Sequence, residues 1–221
     1  MRGFIHGPPG TGKSRLIHWI ARFFKEALAW QHGVQFVCVA FQNRVAYAMG
    51  GVTLHSGGDV SVGGSDKSLS HTDVDVLFTR NQDVRWLLFD EIGMIPDSLL
   101  GAFEKHITDA AKPSRFLHRA PNSPRPCGGY NVLTFGDLFQ IPPIPASAAL
   151  FIPPKATKSE QEDTALNLFW SENSSESLTD FWELEVQKRV VDDPWYSSVL
   201  TECRYGRLSD ESYNFLLGLP M

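Results

Sequence analysis

The sequence has 221 residues, 43% of them hydrophobic and 20% charged, which excludes a disordered or collagen-like chain and allows a core without disulfides or metals. The 25 acidic and 20 basic residues give a formal charge of −5, which excludes a protein that coats nucleic acid by positive charge alone but leaves room for a local basic groove. The three cysteines (Cys38, Cys127 and Cys203) form no CxxC pair, which indicates a reducing compartment rather than a disulfide framework or a zinc ribbon.

The sequence carries no signal for a membrane or for secretion. No apolar stretch reaches the roughly 18 residues of a membrane span. The N-terminal run breaks at Pro8 and Pro9, too early for a signal peptide. We therefore expect an intracellular protein with no membrane partner, and nothing in the sequence indicates its oligomeric state.

Apolar runs and helical periodicities alternate along the chain. Short apolar, β-branched runs predict strands at residues 3–6, 34–40, 86–89, 131–135 and 181–186. Apolar spacing and start or stop signals predict helices at residues 13–30, 44–49, 97–111, 193–205 and 209–217. Composition predicts irregular segments at residues 56–70, 113–126 and 141–163. This alternation predicts an α/β fold with a mostly parallel sheet.

A glycine-rich segment between the first strand and the first helix fits the pattern G-x-x-x-x-G-K-[ST]. Its members are Gly7, Pro8, Pro9, Gly10, Thr11, Gly12, Lys13 and Ser14. Glycines let backbone N–H groups turn towards a phosphate chain, and the helix that follows directs its positive end at the same anion. Lys13 is expected to reach the β- and γ-phosphates and Ser14 to bind Mg²⁺. The strand before the loop and the helix after it are the context that this motif requires, so we predict a nucleotide triphosphate site.

Two acidic residues follow the strand at residues 86–89. Asp90 is expected to hold Mg²⁺, and Glu91 to orient and deprotonate the attacking water. A solvated strand end is the structural alternative, but the nearby phosphate loop favours the catalytic interpretation.

A turn with the sequence GDLFQIPPI follows the strand at residues 131–135. The neutral amide of Gln140 can hydrogen-bond the γ-phosphate or the attacking water without adding charge. Pro142 and Pro143 stiffen the segment that follows. A simple rigid turn is the alternative, and composition alone does not decide between the two.

The set of motifs resembles superfamily 1 DNA helicases. FDEIGMIP is similar to their motif II and GDLFQIPPI to their motif III. Within that superfamily the chain resembles the Pif family, including the helicases of Helitron transposons. The segment FQNRVAYAMGGVTLHS resembles motif Ia, and VQKRVVDDPWYSSVLTECRYGRLSDE resembles motif IV and the helix after it. The resemblance covers nearly the whole chain.

The resemblance implies a RecA-like P-loop NTPase domain, with helices on both faces of the sheet, that uses Mg²⁺ and ATP and binds single-stranded DNA. It implies catalytic roles for Glu91, Gln140 and Arg189, in which Arg189 meets the γ-phosphate. Thr53, His55 and Ser56 match positions that face the DNA. A hydrogen-bonded loop histidine and an exposed arginine beside Lys188 are the structural alternatives for His55 and Arg189.

The resemblance also bears on the domains. We expect residues 1–150 to form the ATPase core with motifs I, Ia, II and III, and residues 151–221 to form the rest of the first motor domain. The second RecA-like domain of the family is absent from this sequence. The prediction is thus a truncated or fragmentary 5′-to-3′ DNA helicase of DNA repair, recombination and telomere or genome maintenance, in the nucleus or mitochondrion. The alternatives are an impaired nucleotide-binding module derived from a helicase and an AAA+ ATPase.

Overall fold

A computed structural model of the chain describes residues 1–61, 69–111, 125–151, 159–173 and 175–218. The strands in these ranges are β1 (Arg2–His6), β2 (Phe36–Ala40), β3 (Val52–Thr53), β4 (Trp86–Asp90), β5 (Asn131–Gly136) and β6 (Asp180–Glu183). The helices are α1 (Lys13–Glu26), α2 (Asn43–Ala48), α3 (Leu54–Gly58), α4 (His71–Asn81), α5 (Asp97–Ala111), α6 (Glu160–Trp170), α7 (Pro194–Tyr205) and α8 (Asp210–Leu217).

The six strands form one parallel sheet in the order β3-β2-β4-β5-β1-β6. The register pairs His6 at the end of β1 with Gly136 of β5 and Glu183 of β6. Asp90 at the end of β4 pairs with Ala40 of β2. All carboxyl ends therefore meet at one edge of the sheet, where ligands bind in open α/β folds. The predicted α/β fold with a parallel sheet is confirmed.

Helices cover both faces of the sheet, and alternation along the strands explains why. Ile5, Cys38 and Leu88 face Ile17 and Phe24 of α1. The neighbouring strand residues, with Phe4 and Phe89 among them, pack against α5 and α6 in a second buried cluster. Strands covered on both faces need apolar residues at successive positions, which is the run that the sequence shows.

The predicted strands are right in type and within a few residues in extent. The helix predicted at residues 13–30 ends at Glu26, the strand predicted from residue 34 begins at Phe36, and β6 ends three residues early at Glu183. The segment after Glu183 leaves the sheet and runs over the glycine-rich loop. None of the helices in the described ranges is long and apolar enough to cross a membrane.

Two predicted loops were wrong in part. Residues 56–58 belong to α3, and residues 160–163 form the first turn of α6; the segments 62–68, 112–124 and 152–158 lie outside the described residues. Helix α4 was not predicted at all, although Ser70 and Asp73 form a capping box at its start. At the start of α6, Ser159 Oγ accepts a hydrogen bond from the Glu162 N–H. A serine followed three residues later by an acid marks both helix starts, because these side chains satisfy free N–H groups. The charge that suggested a loop at residues 159–163 is favourable at a helix N-terminus.

Candidate nucleotide-binding site

The glycine-rich loop has the backbone that its sequence predicts. Gly10 and Gly12 have φ angles of 88° and 97°, which residues with a Cβ rarely adopt. Gly12 is the N-cap of α1, so the positive end of that helix faces the loop. The Lys13 ammonium donates hydrogen bonds to the carbonyl oxygens of Gly7, at 2.6 Å, and Pro8, at 3.2 Å. Burial lowers the pKa of Lys13, and the nearby carboxylates, Glu91 foremost, oppose that shift.

Asp90 lies next to the loop at the end of β4. It is 2% exposed, and Ser14 Oγ donates to its Oδ2 atom at 3.4 Å. Burial, followed by the charge of Glu91, raises the pKa of Asp90 to about 6. A hydroxyl and a carboxylate this close together are the hard oxygen donors that Mg²⁺ prefers.

Glu91 and Gln140 each have one buried side-chain oxygen that forms no hydrogen bond. Glu91 Oε2 and Gln140 Oε1 are buried without a hydrogen-bond partner, and among the described residues no other buried side-chain oxygen or nitrogen atom is in this position. The Glu91 backbone also lies in the left-handed region, with φ 51° and ψ 46°. For a residue other than glycine this conformation costs about 1–3 kcal/mol, and such strain concentrates at functional sites.

A single cavity of about 470 Å³ brings most of the predicted residues together. Its lining consists of Pro9, Gly10, Gly12, Lys13, Ser14, Arg15, Glu91, Gln140, Lys188 and Arg189. Asp90 is not in the lining itself but reaches it through its hydrogen bond with Ser14. The volume suits a small-molecule ligand, and the lining places four cationic side chains beside one carboxylate. Such a charge balance favours a polyanion.

The segment at residues 187–189 holds the outer side of the loop. Gln187 Nε2 donates to the Pro9 carbonyl at 3.0 Å, and the Lys188 N–H donates to the Gly10 carbonyl at 2.9 Å. A Cβ added to Gly10 would lie 2.7 Å from the Cβ of Arg189, so this approach requires glycine. These contacts place Arg189 and Lys188 at the rim of the cavity.

Sequence reasoning missed three residues of this site. Arg15 and Lys188 line the cavity, although neither belongs to a recognised sequence motif. Gln187 holds the loop through its hydrogen bond with Pro9, which lies 178 positions earlier in the chain. The adjacency of Arg15 to Ser14 and of Lys188 to Arg189 was the available signal for the two cations. No local pattern indicated Gln187.

Thr53, His55 and Ser56 lie elsewhere, at the β3 edge of the sheet. Thr53 Oγ1 accepts the Ser56 N–H at 3.3 Å and so caps α3. The Ser56 carbonyl accepts a hydrogen bond from Arg80 at 2.8 Å, and the His55 ring lies 6.1 Å from the Phe41 ring. The structure therefore keeps these three residues together. Like the cavity, they lie at the carboxyl ends of the strands, but none of them lines the cavity.

The parallel sheet and the glycine-rich loop are those of a RecA-like P-loop domain. A family profile described as PIF1-like helicase matches residues 2–193. The chain belongs to the PIF1-like helicase family.

Individual relatives agree with this family. The chain is 29% identical over 217 residues to the ATP-dependent DNA helicase Pif1 of Bdellovibrio bacteriovorus, an alignment that covers 96% of this chain and 42% of that helicase. The crystal structure of Pif1 helicase from Candida albicans matches with a TM-score of 0.66 and 23% identity, over 96% of this chain and 42% of that one. The Bacteroides Pif1 helicase in complex with ADP-AlF3 and ssDNA matches with a TM-score of 0.64 and 22% identity, over 97% and 45%. The chain thus spans less than half the length of these relatives.

Proposed function

We propose that this chain binds Mg²⁺-ATP in the cavity and hydrolyses it as the first motor domain of a 5′-to-3′ DNA helicase that moves on single-stranded DNA. The observation that carries the proposal is the convergence of the loop, Glu91, Gln140 and Arg189 on one cavity, with two buried oxygens left unpartnered. Leaving a buried acceptor unsatisfied costs roughly 1–3 kcal/mol. A ligand that donates hydrogen bonds, such as an attacking water, removes this cost.

The loop residues bind the triphosphate. The N-terminus of α1, which begins directly after Gly12, directs its N–H groups and its positive end at the phosphates. Lys13 exchanges its hydrogen bonds with the Gly7 and Pro8 carbonyls for phosphate oxygens, a stronger interaction because both partners are charged.

The residues present fit Mg²⁺. Ser14 and Asp90 supply two neighbouring oxygens, a set that suits an ion bound by one or two protein groups, water and substrate phosphates. When bound, Mg²⁺ neutralises charge on the β- and γ-phosphates. Among the described residues, no group of three His, Cys, Asp or Glu side chains forms a metal site that would compete for this role.

Three side chains act at the γ-phosphate. Glu91 accepts a proton from the attacking water through its free Oε2 atom, while Gln140 orients that water or the phosphate. Arg189 neutralises charge that develops during transfer, an effect worth roughly 10³–10⁵ in rate in other NTPases. Because Arg189 lies in the segment that holds the loop, the hydrogen bonds of Gln187 and Lys188 to Pro9 and Gly10 keep it beside the bound nucleotide.

The rest of the proposal follows the family. Residues 1–150 form the ATPase core and residues 151–221 complete the first motor domain, while Thr53, His55 and Ser56 contact the DNA. The cellular role is repair, recombination or maintenance of a genome, in the nucleus or the mitochondrion.

The first test measures nucleotide affinity. Mg²⁺-ATP is expected to displace a fluorescent ATP analogue from the 221-residue protein, and Lys13→Ala is expected to weaken ATP on the order of 100-fold, because it removes two charged hydrogen bonds. The matched control is Lys25→Ala, which removes an exposed lysine of α1 far along the same helix and is expected to leave affinity unchanged. Equal affinity of the Lys13→Ala variant and the unchanged protein would refute the site assignment. Binding of a dT oligonucleotide, and its stimulation of ATP turnover, tests the DNA part.

A further inference from the structure

A buried ionic cluster lies beside the turn that carries Gln140, and the proposed mechanism does not use it. Arg204 of α7 forms an ion pair with Asp137, and the two side chains are only 12% and 2% exposed. His6 at the end of β1 lies in the same cluster, with Nε2 3.7 Å from Oε1 of Glu183. Burial is the largest influence on His6 and lowers its pKa.

Three consecutive N–H groups of the turn are hydrogen-bonded, two of them to side chains of this cluster and the third to the Asp137 backbone. The Leu138 N–H donates to His6 Nδ1 at 3.2 Å, and the Phe139 N–H donates to Asp137 Oδ1 at 3.0 Å. The Gln140 N–H donates to the Asp137 carbonyl at 3.3 Å. The Asp137 carboxylate thus fixes the backbone from which Gln140 extends into the cavity.

Arg204 contacts this turn at two points. Its Nη1 atom donates to Asp137 Oδ2, the oxygen that the Phe139 N–H does not use. The guanidinium carbon also lies 4.7 Å from the centroid of the Phe139 ring, within the range of a cation–π contact. Without Arg204, the Asp137 carboxylate would be a buried charge with no cation hydrogen-bonded to it, a situation that strongly favours rearrangement.

Helix α7 also supports the opposite wall of the cavity. Ser197 Oγ donates to Gln187 Oε1 at 3.0 Å, and Gln187 in turn donates to the Pro9 carbonyl. One helix therefore anchors both the Gln140 turn and the segment that carries Arg189, although Arg204 itself does not line the cavity.

We propose that Arg204 is a positioning residue for γ-phosphate recognition: its contacts with Asp137 and Phe139 hold the turn so that the Gln140 amide reaches the third phosphate. This inference rests on the proposed function and deepens it. It predicts a specific defect when Arg204 is replaced: the protein still binds nucleotide diphosphates but distinguishes triphosphates from them less well.

The test compares affinities for Mg²⁺-ATPγS and Mg²⁺-ADP in five proteins, the unchanged protein and four variants. The unchanged protein is expected to prefer ATPγS, and Arg204→Met is expected to reduce this preference roughly tenfold, the effect of one hydrogen bond to a charged group. Gln140→Ala is expected to reduce it equally, and ADP affinity is expected to stay constant in both. Arg207→Met, which removes an exposed arginine three residues further on, is the control that should keep the preference. Arg204→Lys, which retains the charge, should restore part of it.

A second measurement needs no nucleotide. Hydrogen exchange of the Phe139 amide is expected to accelerate at least tenfold in Arg204→Met and not in Arg207→Met, because this amide donates to the Asp137 carboxylate that Arg204 holds. Unchanged exchange at this amide would overturn the inference, as would an equal loss of ADP and ATPγS affinity, which indicates a purely structural role. If the unchanged protein binds neither nucleotide, the proposed function fails and this inference fails with it. If the protein binds both and Arg204→Met keeps the preference, the inference alone fails.

Discussion

The two polar regions at the carboxyl edge of the sheet differ in what their side chains already do. At the nucleotide cavity, between β1, β4 and β5, Glu91 and Gln140 have buried oxygens with no partner. At the β3 edge, Thr53 caps α3 and the Ser56 carbonyl binds Arg80. The fold gives the two oxygens of the first group no hydrogen-bond partner, which favours a ligand site. The second group has structural tasks, so any DNA contact must be separated from stability.

The largest expected effect concerns Glu91. Replacing it by Gln keeps the shape of the side chain but removes its basicity, so ATP turnover should fall about 10²–10⁴-fold. Affinity for Mg²⁺-ATP should stay within a few-fold, because the loop residues bind the phosphates. Single-turnover hydrolysis and equilibrium binding measure the two separately. A protein whose turnover is already at the uncatalysed level would be a nucleotide-binding module rather than an enzyme, and Glu91→Gln would then change nothing.

Asp90 gives the next largest effect, a change in the free energy of unfolding when it is replaced. An increase indicates a functional group, whereas a decrease indicates a structural one. The pKa of Asp90 is about 6 in the folded protein against an ordinary value of 3.8, so the folded state binds its proton more tightly than the unfolded chain does. The charged form therefore costs stability, and this cost grows as the pH rises from about 4 to 6 and stays constant above that. Asp90→Asn avoids the cost and should raise the free energy of unfolding at pH 7.5 by up to about 3 kcal/mol.

The measurement is chemical denaturation in EDTA at pH 7.5 and at pH 4. At pH 4 the stabilisation by Asp90→Asn should nearly vanish. Asp83→Asn, at an exposed position before β4, should change stability by less than about 0.5 kcal/mol. The same Asp90→Asn variant should lose the Mg²⁺ dependence of ATP binding. Destabilisation at pH 7.5 would show that Asp90 is a well-paired structural group, and the contrast between the two regions would no longer hold.

The same contrast explains how far the sequence could predict the molecule. The four central strands and the P-loop are local features, which continuous apolar runs and one glycine pattern predict. The strand boundaries in the structure agree with the predicted ones within about two residues. Helix α4 was missed because Leu77 is its one fully buried apolar residue, and α6 because its acidic first turn suggested a loop, although both serine caps were visible. The contacts from Arg204 to Asp137 and from Gln187 to Pro9 join residues 67 and 178 positions apart. No local rule predicts such pairs, because only the parallel sheet brings them together.

The smallest expected effect tests the β3 edge, where one hydroxyl has two tasks. Thr53 Oγ1 accepts the Ser56 N–H, but its own proton stays available for a DNA phosphate, since a hydroxyl is both acceptor and donor. Thr53→Val, which keeps the branched shape, should lower the free energy of unfolding by about 1 kcal/mol through loss of the cap. It should also weaken binding of a dT oligonucleotide by roughly two- to tenfold through loss of one hydrogen bond.

Thr53→Ser is the control for the loss of the hydroxyl. It keeps the hydroxyl, so its stability and its DNA affinity should both be close to those of the unchanged protein. The salt dependence of DNA binding should stay the same in all three proteins, since no charge is removed. If Thr53→Val loses stability but binds DNA as tightly as the unchanged protein, the hydroxyl is a helix cap alone, and the DNA track runs past other residues of this edge. If instead stability and DNA affinity both fall in Thr53→Val and both recover in Thr53→Ser, one hydroxyl at the β3 edge has a structural role and a binding role. In the nucleotide cavity, different atoms carry these two roles.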